Sequence, residues 1–175
     1  MEVIDRFLAA TPAVRPGLTR VERPADEVRS FIEDAADAEC PAALAELYTA
    51  FDGSEGYRFW PKGLLDSLQS SADQLELDRQ LDAKFGGTTS ERPYWPVSNN
   101  DGDRLCVYLD DPSAPLFAAL RDGGDPDPEY FGIDEGTGLR DWLAHLAAKF
   151  ENGEVLVHET LVMTHEDWEF EFGEW

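Results

Sequence analysis

Three histidines and their neighbouring carboxylates are the residues best suited to acid–base or metal chemistry. His158 is followed by Glu159, His165 is followed by Glu166, and His145 falls within a predicted helix. Imidazole and carboxylate groups are common ligands of divalent metals. The spacing of these residues matches no established site, so we interpret them as ordinary surface residues and expect neither a metal nor a catalytic residue.

A second motif, Asp101, Gly102 and Asp103, shares residue types with calcium-binding loops. The glutamate and the ligand spacing that such a loop requires are absent from the sequence. An Asp-Gly pair instead supplies the positive φ of a tight hairpin. Phosphate-binding glycine motifs and the Gly-x-Ser-x-Gly motif of hydrolases are also absent. We therefore predict a protein that is not an enzyme and uses no cofactor.

Carboxylates dominate the composition: 37 Asp and Glu stand against 14 Lys and Arg, for a formal net charge of −23. Such a charge repels nucleic acid and anionic lipid and favours a cationic protein partner. No uncharged apolar run reaches the roughly 20 residues that span a bilayer. We expect no membrane association and no direct binding of nucleic acid. Solubility, as in proteins of salt-adapted organisms, is the alternative explanation of the charge.

Two segments concentrate this negative charge. Residues 110–135 hold eight carboxylates and one basic residue, Arg121, and residues 151–175 hold eight carboxylates with no Lys or Arg. If residues 167–172 form a strand, Asp167, Glu169 and Glu171 share one face at intervals of roughly 6.6 to 6.8 Å. This row either binds a cationic partner or protects a sheet edge from aggregation.

The candidate partner-binding residues are aromatic side chains surrounded by carboxylates. Buried aromatic residues dominate the energetics of interfaces, whereas peripheral charges chiefly set the association rate. Each of these aromatic residues has core packing as its alternative role. The candidates are Tyr57, Trp60, Trp95, Asp101, Asp103, Asp110, Asp111, Asp122, Asp125, Asp127, Glu129, Tyr130, Asp167, Glu169 and Glu171.

The spacing of apolar residues predicts helices in the first half of the chain and strands in the second. Pro41 suits the start of a helix whose buried side is Leu44, Leu47, Tyr48 and Phe51, with Gly53 just past its end. The predicted helices are Glu2–Ala10, Ala25–Ala36, this Pro41 helix, one or two helices over residues 64–85, and Leu139–Phe150. The predicted strands are Tyr57–Trp60, Tyr94–Ser98, Arg104–Asp110, Leu116–Leu120, Tyr130–Ile133, Glu154–Met163 and Trp168–Phe172.

The 175 residues suit one domain, which we predict to cover residues 1–175. We expect an α+β fold in which a mixed or mainly antiparallel sheet packs against N-terminal helices and one later helix. The start of the chain lacks the pattern of a signal peptide. Cys40 and Cys106 lack the spacing of zinc or redox motifs, so we expect buried thiols in a cytoplasmic protein, although a disulfide remains an open alternative.

Several segments in this order resemble the SUKH superfamily, which includes the yeast cell-wall-assembly regulator and many bacterial immunity proteins. The first two are Glu39-Cys40-Pro41, with Cys40 in place of the usual leucine, and the run from Leu47 to Asp52-Gly53. The others are the hairpin over residues 94–110 and the helix that begins Leu139-Arg140-Asp141-Trp142-Leu143. The resemblance covers residues 25–150 and leaves 151–175 as an acidic, strand-rich extension.

This resemblance implies a binding domain with an α+β fold and without catalytic residues. Bacterial members of the superfamily commonly neutralise polymorphic toxins, many of which are nucleases, and eukaryotic members act as regulatory scaffolds. The sequence therefore favours an immunity protein that binds and blocks a cognate basic toxin domain. The alternative is a regulatory or scaffold domain with an endogenous protein partner.

Overall fold

A computed structural model describes residues 2–10, 23–53, 58–60, 63–86, 89–100, 103–119, 136–158 and 161–164. These ranges contain five helices and seven strands in one α+β fold, which confirms the predicted class. The helices are α1 (Glu2–Ala10), α2 (Ala25–Ala36), α3 (Ala42–Ala50), α4 (Leu68–Phe85) and α5 (Leu139–Glu151). The strands are β1 (Arg58–Trp60), β2 (Gly63–Leu65), β3 (Tyr94–Asn100), β4 (Asp103–Tyr108), β5 (Leu116–Ala119), β6 (Val155–His158) and β7 (Leu161–Thr164).

The main sheet has five antiparallel strands in the order β1-β2-β3-β4-β5, and β6 and β7 form a separate antiparallel pair. The predicted central hairpin is present as β3 and β4, with Trp95 opposite Val107 and a register shift between Pro96 and Ser98. Every strand therefore pairs with its neighbour in sequence, which is the simplest connection for antiparallel strands.

Helices α2 and α3 cover the face of the sheet on which Trp95 lies. The rings of Phe31 in α2 and Tyr48 in α3 each contact Trp95 edge-on, with centroids 6.5 Å away. The predicted apolar side of α3 is buried, since Leu44, Leu47 and Tyr48 are 0% exposed. Aromatic and aliphatic side chains from two helices and the sheet thus form the centre of the core.

Helix α4 packs against β3 and also contacts the helices over the Trp95 face, because the Tyr48 and Ser71 hydroxyls lie 2.9 Å apart and Arg79 donates to the carbonyl oxygens of Ala35 and Ala36. Side chains alternate along a strand, so Tyr94 points away from the face that carries Trp95. The Tyr94 hydroxyl donates a 2.8 Å hydrogen bond to Asp78 of α4. Arg104, on β4, also donates to Asp78. A buried carboxylate on α4 therefore connects the helix to two central strands.

Helix α1 packs against α5, which joins two segments that are far apart in the sequence. The rings of Phe7 and Phe150 meet edge to face at 5.8 Å between centroids. Beside them, the guanidinium of Arg6 donates to both carboxylate oxygens of Glu151, at 3.0 and 2.6 Å. An apolar contact with an adjacent ion pair thus fixes α1 on the rest of the fold.

Three local predictions need correction. The segment at Leu64 begins no helix: residues 63–65 form β2, and α4 starts at Leu68. Glu154–Met163 was predicted as one strand, but it contains the two strands β6 and β7. Gly53 does not itself end α3: the residue that ends the helix is Phe51, which has an extended conformation, and Gly53 lies two residues further along the chain. The predicted strands Tyr130–Ile133 and Trp168–Phe172 lie outside the described residues.

Candidate interaction surface

Most of the predicted partner-binding residues lie outside the part of the chain that the structure describes. For Trp60, in β1, only the backbone is described. The residues outside the described ranges are Tyr57, Asp101, Asp122, Asp125, Asp127, Glu129, Tyr130, Asp167, Glu169 and Glu171. The interaction surface predicted from residues 110–135 and 167–172 therefore stays a prediction.

Trp95 is part of the core, which corrects its candidacy as a partner-binding residue. Its side chain is 0% exposed and is enclosed by Phe31 and Tyr48. The reason is its position on the central strand β3, on the face that α2 and α3 cover. A side chain in this place contributes to stability and cannot reach a partner.

Asp110 is exposed, but it is already paired with a cation of the same chain. Arg92 donates to both of its oxygens, with Nε 2.9 Å from Oδ2 and Nη2 2.5 Å from Oδ1. The hydrogen bonds from Arg92 hold the pKa of Asp110 below its ordinary value. The Arg92 guanidinium also lies 3.8 Å from the centroid of the Tyr108 ring. Much of the negative charge that a basic partner would recognise is therefore offset at this position.

Asp111 and Asp103 occupy two different environments. The Asp111 carboxylate accepts hydrogen bonds from the backbone N–H and the hydroxyl of Ser113, at 2.9 and 2.8 Å. The backbone bond is the main reason why the pKa of Asp111 is lowered. Asp103 is half-buried at the start of β4. Asp111 thus stabilises the turn after β4 and lies next to the Asp110–Arg92 pair, whereas Asp103 lies at the other end of β4.

A buried polar cluster around Asp78 was missed by the sequence analysis. Asp78 and Arg104 are 2% and 7% exposed and form an ion pair. Tyr94 and Gln74 also donate to the Asp78 carboxylate, at 2.8 and 2.9 Å. A buried charge is tolerated when it is paired and hydrogen-bonded in this way. The cluster fixes α4 on the sheet, and its spacing of 26 residues between Asp78 and Arg104 gave no local signal.

Asp66 lies near this cluster with an incomplete set of hydrogen bonds. Its Oδ2 is buried without a hydrogen-bond partner, and its Oδ1 accepts a long bond from Ser70, 3.4 Å. Burial raises the pKa of Asp66 to about 6, although the attraction of Arg104 opposes this shift. Shifted pKa values are typical of functional sites, but ion pairs inside folds produce them too. Asp66 lies between the buried Arg104 and the exposed Ser70 at the start of α4, so we assign it a role in the stability of the fold.

Asp52 and Gly53, which belong to the SUKH resemblance, have a structural role at the start of α4. The Asp52 carboxylate accepts two hydrogen bonds from Arg23, at 2.9 and 2.6 Å, and one from the backbone N–H of Leu68, at 3.1 Å. Gly53 has φ +90°, a conformation that favours glycine. An added Cβ at Gly53 would lie 3.0 Å from the Ser67 nitrogen. The pair therefore positions α4.

The described ranges contain no group of three or more His, Cys, Asp or Glu residues that could hold a metal ion. His145 is exposed on α5, His158 lies in β6, and His165 is outside the described ranges. Cys40 and Cys106 are both free and buried, as the sequence predicted. None of the described helices is both long enough and apolar enough to cross a membrane.

Helix α4 exposes an apolar row that the sequence analysis did not recognise as a surface. Leu77, Leu81 and Phe85 are 46%, 42% and 72% exposed. Their spacing of four residues places them on one side of the helix. This spacing was visible in the sequence, but it looks the same whether a helix turns that side inward or outward.

Comparisons with known proteins add no family to these observations. No protein-family model matches the sequence, and a search of curated proteins returns no match. The SUKH resemblance thus depends on the residues quoted for it.

Proposed function

We propose that this chain is an immunity protein of the SUKH type, which binds a basic bacterial toxin domain and blocks its active site without catalysing a reaction. A nuclease domain is the favoured target, because it holds phosphates with Lys and Arg side chains that carboxylates can occupy. The observation that carries the proposal is the formal net charge of −23. A charge of this size steers a cationic partner toward the protein and raises the association rate.

The described polar residues discussed above have structural roles in the fold. Asp78 and Arg104 stabilise the interior, Asp52 positions α4, and Asp111 stabilises a turn. Each of these groups has a structural role that explains its position. The proposed contacts with the toxin come from the acidic segments 110–135 and 167–172, where carboxylates stand in for substrate phosphates.

We place this function in the cytoplasm. Cys40 and Cys106 are free thiols in the described fold, which suits a reducing compartment. Burial raises the pKa of Cys40 to about 11, so this thiol stays protonated and unreactive at neutral pH. Cytoplasmic immunity protects a cell from a toxin that acts on its own nucleic acid.

The test is affinity capture from the native organism at low salt, followed by elution with rising salt and mass spectrometry. The captured basic protein is then purified and its nuclease activity is titrated with this chain. We expect activity to fall to the background at a ratio of one to one. If the captured proteins are housekeeping proteins and none has a nuclease activity that this chain inhibits, the immunity proposal fails and the regulatory scaffold takes its place.

A charge variant and a matched control locate the interface. The charge variant replaces four carboxylates by the corresponding amides, at Asp122, Asp125, Asp127 and Glu129. It is expected to associate with the toxin about tenfold more slowly or slower still, since peripheral charges act mainly on the association rate. The control neutralises three exposed carboxylates of α2, namely Asp26, Glu27 and Asp34, together with the adjacent Asp37. Equal slowing by both variants would show that the overall charge, and not the 122–129 segment, determines association.

A further inference from the structure

The outward part of α4 carries a row of apolar residues among charged and amide side chains. The inward side of this 18-residue helix carries Leu68, Ser71, Leu75 and Asp78, all of them buried. Leu77, Leu81 and Phe85 follow one another at four-residue spacing and are 46%, 42% and 72% exposed, with Phe85 at the last turn of the helix. Single exposed apolar residues are common, but a contiguous apolar patch with a polar border marks an interaction site.

The border of this row keeps its negative charge. Asp73 lies one turn before Leu77 on the same side of α4, Glu76 lies on the adjoining side, and both are exposed. They accept hydrogen bonds from Gln69 and Gln80, at 2.8 and 2.9 Å. These amide donors are neutral, so they order the carboxylates without cancelling their charge. Asp110 and Glu151, in contrast, are paired with arginines.

The C-terminal end of the row carries a cation. The Lys84 ammonium lies 5.1 Å from the centroid of the Phe85 ring. The other basic residue nearby, Arg79, is bound to the C-terminal end of α2. It donates to the carbonyl oxygens of Ala35 and Ala36 at 2.8 and 3.1 Å. The row therefore has an acidic side at Asp73 and Glu76 and one lysine at its end.

From this geometry we infer that the α4 row, defined as Leu77, Leu81 and Phe85, binds an amphipathic helix of the partner that has apolar residues on one side and Lys or Arg beside them. The partner's apolar side covers the row, and its cations meet Asp73 and Glu76. The identity of this occupant rests on the proposed basic partner, but its site is separate from segments 110–135 and 167–172.

A second copy of the same chain fits this surface less well. Two copies bring together two net charges of −23, and their repulsion opposes association. The exposed row is three residues long, so the apolar area that it offers must be supplemented by favourable charge contacts. A cationic helix supplies those contacts, whereas a second copy presents the same acidic border.

The probe is a synthetic 18-residue peptide of leucine and lysine, with the leucines spaced three and four residues apart. Its control has the same composition in scrambled order, so it has equal charge without an apolar side. We expect calorimetry at 0.15 M salt to give one-to-one binding of the amphipathic peptide. The triple variant Leu77→Gln, Leu81→Gln and Phe85→Gln is expected to bind it at least tenfold more weakly and to bind the scrambled peptide as the unmodified chain does.

The altered residues are exposed, so circular dichroism and thermal unfolding are expected to show an unchanged fold. A second variant, Asp73→Asn with Glu76→Gln, removes the two carboxylates and keeps the apolar row. It is expected to bind the amphipathic peptide severalfold more weakly. Equal affinities of the unmodified chain and the triple variant would overturn the assignment of the row. A second result would also overturn it: sedimentation equilibrium that shows a dimer of the unmodified chain and a monomer of the triple variant. The occupant of the row would then be a second copy of the chain. Neither result bears on toxin inhibition, which is measured with the captured protein.

Discussion

Individual acidic side chains change the stability of this fold in opposite directions as the pH falls. Asp66 has its pKa raised to about 6 by burial, so the folded state binds its proton more tightly than the unfolded state does. Arg23 instead lowers the pKa of Asp52, and the backbone N–H of Ser113 lowers that of Asp111. Asp66 therefore favours the folded state at low pH, and the other two favour it above the ordinary pKa of aspartate.

We predict that the pH dependence of stability between pH 4 and pH 7 comes largely from Asp66. Its contribution is complete below the unfolded pKa of 3.8 and is lost as pH rises through about 6. The difference between these two pKa values corresponds to about 3 kcal/mol in the free energy of unfolding. Urea unfolding at a series of pH values is expected to show this decrease in the unmodified chain and a much flatter profile in Asp66→Asn.

The control is Asp34→Asn on the exposed side of α2, which removes one negative charge without changing a buried group. It is expected to keep the slope of the unmodified chain. If Asp34→Asn and Asp66→Asn flatten the profile equally, the slope reflects general charge repulsion and not the burial of Asp66.

The elements show which parts of the fold the sequence could predict. Helix α2 was predicted with its observed bounds, because Val28 and Ile32 repeat at helical spacing and Pro24 precedes the first turn. Strand β2 was missed because three residues carry no periodic pattern, and its pairing with Ser98 and Asn99 is distant in sequence. Short strands depend on their partners more than on their own residues.

The same distinction between local and long-range properties applies to the candidate site. The acidic segments are visible in the sequence because composition and alternation are local properties, and their role in binding stays a prediction. The burial of Trp95 and the Asp78–Arg104 pair could not, because both depend on how α2, α3 and α4 meet the sheet. The outward direction of Leu81 and Phe85 also depends on that packing, since a helix with two apolar sides has no local signal for which one is buried.

The start of α4 gives a prediction at the scale of one element. Asp52→Ala removes both the acceptor for the Leu68 N–H and the pair with Arg23, whereas Asp52→Asn keeps an acceptor. We expect Asp52→Ala to lower the free energy of unfolding by about 1 to 2 kcal/mol, as for a lost helix cap. Asp52→Asn is expected to lose only about 0 to 1 kcal/mol, the value of a partly exposed ion pair. Chemical denaturation of both variants tests this, and equal losses would assign the effect to Arg23 alone.

At the scale of the whole molecule, the excess of negative charge opposes the compact state. The chain carries 37 acidic and 14 basic residues, so repulsion between carboxylates outweighs attraction at long range. Arginine pairs such as Arg6–Glu151 and Arg140–Glu46 compensate only locally. Salt shortens the range of the repulsion, with a Debye length of about 10 Å at 0.1 M.

We therefore predict that salt stabilises this protein. Raising NaCl from 0.05 to 0.5 M is expected to increase the midpoint of thermal unfolding by about 4 to 8 °C, which corresponds to about 2 kcal/mol for a chain of this size. Circular dichroism at 222 nm measures the midpoint, and choline chloride serves as the control for a specific effect of sodium. An unchanged or lower midpoint would mean that the ion pairs, and not the net charge, dominate the response to salt.

The contact between α1 and α5 has a consequence for synthesis on the ribosome. Arg6 and Glu151 are 145 residues apart, and Phe7 is 1% exposed in the finished fold beside Phe150. At about 5 to 20 residues per second, the ribosome adds those 145 residues in roughly 7 to 30 s. During that interval the apolar side of α1 lacks its α5 partner and is accessible to chaperones, so a helix that is made before the other described helices is among the last of them to complete its packing.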